Sequence, residues 1–134
     1  MQRFSKIWVV DDDPIFRAML TRLLKKTQMV DSIEIFQNGS DAINRLQEDL
    51  SNKHPEGVPE VILLDVNMPI LDGWGFVQEF EKIQEKITSR PTIYIISSSI
   101  DPRDRAKADA TDAVKGFLEK PVRIMDLSAA LKAV

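Results

Sequence analysis

At 134 residues, with 43% hydrophobic and 29% charged positions, the chain has the size and balance of one ordinary globular domain with a normal core. A net charge of -3 offers nucleic acid no basic face, and the absence of cysteine excludes disulfide frameworks and thiolate metal sites. No apolar run approaches the ~18 residues of a membrane span, so the expectation is a cytoplasmic domain without membrane or nucleic-acid contact.

Residues 6–10, apolar at each successive position after Lys6, read as a central strand. It stops at Asp11-Asp12-Asp13-Pro14, where Pro14 suits the first turn of a helix and Asp13 its N-cap. That helix carries Ile15, Phe16, Met19, Leu20, Leu23 and Leu24 as a double stripe, closed by Lys25 and Lys26 at the negative end of its dipole. Residues 32–36 alternate and predict a strand nearer an edge. Asn38-Gly39-Ser40 then turns into a second helix with Ala42, Ile43, Leu46 and Leu50 inward. Residues 51–59 are a polar loop, in which the lone His54 reads as solvated.

Residues 61–64 form a fully apolar strand ending at Asp65, and Pro69 and Asp72-Gly73 force a loop before a third helix from about Trp74. Phe76, Val77, Phe80, Ile83 and Ile87 are its expected buried stripe. Residues 92–96 are a fourth buried strand, ending at Ser97-Ser98-Ser99. Asp101-Pro102 opens a fourth helix poor in large apolar residues, so a broad exposed side is expected. Residues 114–118 are a short fifth strand ending at Glu119-Lys120-Pro121, and Ile124, Leu127, Leu131 and Val134 mark a last helix. Strands alternating with helices imply an α/β domain with a parallel sheet, helices on both faces and right-handed crossovers.

Parallel geometry gathers the carboxyl ends of the strands on one rim, where open α/β sheets bind ligands. Asp11 and Asp12, Asp65, Ser97 or Ser98, and Lys120 therefore converge. Each alone would read as a solvated loop residue, but crowded carboxylates repel and normally serve a cation or a pKa purpose. All-oxygen ligation suits Mg²⁺, and a carboxylate beside it can attack phosphorus. A hydroxyl and an ammonium would then face the phosphoryl oxygens.

The set Asp11-Asp12, Asp65 with Met68-Pro69-x-x-Asp72-Gly73, Ser97 and Lys120-Pro121 closely resembles the receiver domain of two-component response regulators, across essentially the whole chain. The resemblance implies a flavodoxin-like (βα)5 sandwich with strand order 2-1-3-4-5, and one receiver domain over residues 1–134. It makes Asp65 the phosphoacceptor, charged by a sensor histidine kinase or a histidine phosphotransfer protein. Mg²⁺, for which Mn²⁺ can substitute, would be held by Asp12 directly, by Asp11 largely through water, by Asp65 and by the Asn67 backbone carbonyl. Ser97 is the preferred switch hydroxyl. Strict family spacing to Lys120 favours Ser98, unless an extra residue lies between Thr111 and Gly116. Phe117 matches the family's rotamer-switching aromatic, Lys120-Pro121 its cis peptide, and Asn67 and Ser99 the positions that tune phosphoryl lifetime.

The resemblance implies a switch rather than an enzyme. Phosphorylation would reshape the surface of the fourth helix, fifth strand and fifth helix for a downstream protein, or pass the phosphoryl group onward, in a monomer or a phosphorylation-linked dimer. The chain is read as a stand-alone regulator, with a receiver from a longer protein as the alternative. A haloacid-dehalogenase-type phosphatase is disfavoured because Asn67 stands where its second acid would be. A degenerate receiver acting without phosphorylation is disfavoured because no pocket member is missing.

Overall fold

The computed structural model describes residues 3–51, 57–98 and 101–134, so His54 and Ser99 lie outside the described residues. Strands β1 (Phe4–Val10), β2 (Val30–Phe36), β3 (Val61–Asp65), β4 (Thr92–Ser97) and β5 (Val114–Glu119) alternate with five helices. These are α1 (Pro14–Thr27), α2 (Gly39–Ser51), α3 (Gly73–Ile83), α4 (Pro102–Ala110) and α5 (Ile124–Lys132). The sheet is wholly parallel in the order β2-β1-β3-β4-β5, the flavodoxin-like arrangement expected from the sequence.

The two-residue period of the strands divides the core. Ile7 and Val9, Val61 and Leu63, and Tyr94 and Ile96 pack under α1 and α5 with Leu20, Leu24, Leu127 and Leu131. Trp8 and Val10, Ile62 and Leu64, and Ile93 and Ile95 pack on the other face with residues of α2, α3 and α4. β3, apolar from Val61 to Leu64, is buried on both sides, whereas β2 is an edge strand with Ile35 exposed. Among the described residues no helix is long and apolar enough to cross a membrane.

Three expected helix stripes are narrower than the sequence pattern implies. In α1 only the i, i+4 row Phe16, Leu20 and Leu24 is buried, while Ile15 is 82% and Met19 40% exposed. A helix lying on a sheet buries one row deeply, and the adjacent row faces solvent near its ends. In α5, Leu127 and Leu131 are buried but Ile124 is exposed for the same reason, and Val134, also exposed, lies beyond the end of the helix at Lys132. Ile87 is buried but lies outside α3, which ends at Ile83 and passes through a 3-10 turn at Gln84–Lys86.

Local signals set the helix starts. Asp13 caps α1 by accepting from the Ile15 and Phe16 amides, with Pro14 at the first helical position. Asp72 caps α3 through the Gly75 amide at 2.7 Å, and Asp101 caps α4 through the Arg103 amide at 2.9 Å. Within α4 only Ala108 is buried, as its polar composition implies.

Candidate functional site

The strand order reverses between β1 and β3, which makes their carboxyl ends the switch point where doubly wound sheets open a crevice. Val10 pairs with Leu64, so Asp11 and Asp65 follow on adjacent strands. Asp65 pairs with Ile96 and Ser97 with Glu119, and the Lys120 amide donates to the Ser97 carbonyl at 2.9 Å. Asp11, Asp65 and Lys120 continue the residue parity of Val9, Leu63 and Leu118, all of which pack beneath α1 and α5. The period of the strands thus directs two acids and one amine to the same side of the sheet.

Carboxylate oxygens of Asp11, Asp12 and Asp65 lie within 4.8 Å of one another. The Lys120 ammonium sits 2.9 Å from Asp11 Oδ2 and 3.4 Å from Asp65 Oδ1. Asp11 and Asp65 are buried, and Asp12 is open to solvent. Asp11 Oδ1 also accepts from the Asp13 amide at 2.9 Å, which ties the acid pair to the start of α1. Three carboxylates against one ammonium leave a local excess of negative charge, and the donor set is hard oxygen with one side open to water. That chemistry could hold a hard divalent cation, which would keep several waters.

Burial, helped by the Asp11 charge, pushes the Asp65 carboxyl up to about 6, against the opposing pull of Lys120. Burial alone would depress the Lys120 ammonium. The hydrogen bond to Asp11 and the charges of Asp65 and Asp11 outweigh it and hold the amine above its ordinary range.

The β3–α3 loop folds back tightly on Asp65. The Gly73 amide donates to the Val66 carbonyl at 2.8 Å. A Cβ on Gly73 would lie 2.5 Å from the Asp65 carbonyl oxygen, so only glycine lets α3 begin against the strand end. Asn67, two residues past Asp65, is exposed. Ser97 ends β4 and is fully buried, whereas Ser98 is exposed. Ile93 pairs with Val114 but Tyr94 with Gly116, so Lys115 is a bulged extra residue, and it lies between Thr111 and Gly116. Phe117 is half-buried on β5, with the Arg105 guanidinium 5.6 Å from its ring centroid. The Lys120-Pro121 peptide is cis.

Two neighbours of the pocket escaped the sequence reading. Arg17 donates to the Asp11 carbonyl at 2.8 Å, and the Phe16 ring centroid lies 4.1 Å from Lys120 Nζ. Phe16 carried only the signal of a core position, which it also fills.

Fold and site together define a flavodoxin-like α/β protein whose switch-point crevice is acidic and, among the described residues, holds the single ammonium of Lys120. Over residues 7–132 the sequence matches the response regulator receiver domain family, and the chain belongs to that family, the receiver domains of two-component, phosphorylation-type signalling. Its fold aligns with a two-component response regulator from Cytophaga hutchinsonii at TM-score 0.87 and 30% identity, covering 98% of this chain and 96% of that one. A chain of the co-crystal structure of the Saccharomyces cerevisiae histidine phosphotransfer signaling protein Ypd1 with the receiver domain of Ssk1 shares the fold at TM-score 0.79 and 21% identity, over 98% and 89%. A protein-glutamate methylesterase/protein-glutamine glutaminase of Symbiobacterium thermophilum is 30% identical over 90% of this chain. The chain spans only 30% of that relative's length.

Proposed function

We propose that the chain, as one receiver domain over residues 1–134, is a phosphorylation switch with Asp65 as its phosphoacceptor. The observation that carries this reading is the cluster of Asp11, Asp12 and Asp65 oxygens with Lys120 ion-paired to two of the three acids. Asp12, Asp11 (largely through water), Asp65 and the Asn67 backbone carbonyl would hold Mg²⁺, or Mn²⁺ in its place. The bound ion supplies positive charge that offsets the phosphoryl oxygens. An Asp65 oxygen attacks phosphorus as the phosphorus–nitrogen bond to a donor histidine breaks, the electron pair leaving with the imidazole. Lys120 contributes a compact charge, so the chain works by positioning and charge stabilisation.

Ser97 is the hydroxyl assigned to the product's oxygens. Its place at the end of β4 and the bulge at Lys115 support it over exposed Ser98. Movement of Ser97 toward the phosphoryl group would free space for Phe117 and shift a pre-existing equilibrium at the α4–β5–α5 surface, where a downstream protein binds or the phosphorylated form dimerises. Asn67 and Ser99 tune the lifetime of the acyl phosphate, whose loss is the only turnover expected of the chain.

The donor is a sensor histidine kinase or a histidine phosphotransfer protein. Support for a protein donor comes from exposed apolar residues on the elements leaving the rim, namely Ile15 and Met19 on α1, Ile70 in the β3–α3 loop, and Ile124 and Met125 on α5. Incubation with acetyl phosphate and Mg²⁺ tests the central claim. Wild type takes up one phosphoryl group and Asp65→Asn none; equal labelling of both would refute it.

A further inference from the structure

We infer that Phe16 is a positioning residue for the Lys120 ammonium, an assignment that rests on Lys120 serving the phosphoryl group as proposed above. Lys120 Nζ lies 4.1 Å from the centroid of the Phe16 ring, with Asp11 Oδ2 at 2.9 Å and Asp65 Oδ1 at 3.4 Å as its other neighbours. An ammonium over the face of an aromatic ring is attracted by the ring's quadrupole, and the attraction strengthens as water is excluded. Phe16 is 6% exposed and the Lys120 side chain 17%, so the pair is largely dry.

The ring does what the two carboxylates cannot. An ammonium held by acids alone follows whichever carries more charge, and any cation bound to those acids competes with it for their charge. The Phe16 face is uncharged and binds no hard cation, so its hold on Lys120 persists when the acids are engaged elsewhere. A lysine has four rotatable stem bonds, and fixing them costs rotamer entropy that the ring helps offset.

The backbone makes this placement reproducible. Asp13 caps the first turn of α1 through the Ile15 and Phe16 amides at 2.9 and 3.3 Å. Its own amide is held by Asp11 Oδ1, and Arg17 is tied to the Asp11 carbonyl at 2.8 Å. The ring that faces Lys120 is thus anchored on both sides in sequence to the acid with which Lys120 pairs. Leu20 and Leu24, one and two turns on in the same row, are buried, which fixes the rotation of α1 about its axis.

A packing role and a cation-holding role separate when the ring's electrostatics change and its shape does not. Phenylalanines carrying one, two and three fluorines at position 16 weaken the quadrupole stepwise at nearly constant volume. With acetyl phosphate and Mg²⁺, the labelling rate at Asp65 should fall with each fluorine. Phe16→Leu should be slower than wild type by roughly three- to thirtyfold, and Phe16→Tyr close to wild type. In NMR spectra of the metal-free protein, the Lys120 ε-methylene signals should be displaced upfield by the ring in wild type and Phe16→Tyr, and return to ordinary lysine positions in Phe16→Leu. Thermal melting of each variant establishes that it is folded. Labelling that ignores fluorination, or ε-methylene signals unmoved by Phe16→Leu, overturns the assignment while the phosphoacceptor reading stands. Failure of wild type itself to be labelled refutes that underlying reading instead.

Discussion

Lys120 Nζ lies nearer to Asp11 Oδ2, at 2.9 Å, than to Asp65 Oδ1, at 3.4 Å. The amine is therefore primarily the partner of Asp11, just past the end of β1, and it bridges to Asp65 on β3. Lys120→Met leaves both buried carboxylates without a cation. A fully buried broken pair costs ~3–5 kcal/mol; with Asp12 open to water beside it, a loss of roughly 1–3 kcal/mol is expected here. If Asp11 and Asp65 hold the divalent cation as proposed, the ammonium competes with it for those acids, so the variant should bind Mg²⁺ more tightly than wild type, and saturating Mg²⁺ should restore much of the lost stability. Melting curves with and without Mg²⁺, together with titration calorimetry, measure both effects. Weaker Mg²⁺ binding in the variant would show that Lys120 helps to hold the ion rather than competing with it.

Asp65, pushed up to about 6 by burial and by Asp11, gives the metal-free protein a specific pH dependence. An unfolded aspartate titrates near ~3.9, so the fold binds this proton more tightly than the unfolded chain does. The resulting stability is fully present below about pH 4 and is lost as the pH rises through about 6. Asp65→Asn removes that loss and should melt higher than wild type at pH 7.5, by on the order of 1–2 kcal/mol, or roughly 3–8 °C. As a proposed ligand of Mg²⁺, Asp65 would have to be ionised to hold it, which reverses the preference. The affinity of wild type should fall by up to about tenfold per pH unit below 6 and level off above it. A flat affinity between pH 5 and 7 would contradict the raised value.

How much of this was legible in the sequence differs from residue to residue. Asp11, Asp65 and Lys120 could be brought together on paper because strand ends in a parallel sheet share one rim and the two-residue period settles the face. Phe16 could not, because apolar spacing marks Phe16 and Ile15 equally and only the packing of α1 on the sheet separates the buried row from the exposed one. Ser97 and Ser98 differ by one residue in their spacing to Lys120, and Gly116 inside a strand pattern signals a bulge without fixing the extra residue, which the structure has at Lys115. Ile70 has φ of 71°, a left-handed conformation normally announced by Gly or Asn. A β-branched residue there is invisible to turn rules.

Trp74, the second residue of α3, joins the loop after Asp65 to α4. Its indole donates to Asp104 Oδ1 at 3.1 Å, and Lys107 Nζ lies 4.8 Å from the centroid of its ring. With only Ala108 of α4 buried, these contacts add to the packing of that helix on β5. Trp74→Phe keeps an aromatic ring and removes the hydrogen bond. Amide exchange along α4 should accelerate by about fivefold, the equivalent of ~1 kcal/mol, with core amides of β1 and β3 unaffected. Exchange that rises equally across the sheet would mean that Trp74 supports the whole core rather than α4.

Ile70 combines the strained φ of 71° with 83% exposure, so its side chain returns little packing for the conformation it adopts. A left-handed backbone costs a β-branched residue roughly 1–2 kcal/mol, and Asn tolerates it. Ile70→Asn should therefore stabilise the protein by about 1 kcal/mol, or about 3 °C in Tm. If strain were the only role of the position, labelling from every donor would be unchanged. The exposed apolar residues on the rim give a different expectation: labelling from acetyl phosphate stays at the wild-type rate, while labelling from a phosphohistidine protein slows, because only the protein donor has to cover Ile70. Parallel time courses with the two donors read this directly. A variant that is more stable and equally fast with both would remove Ile70 from the docking surface.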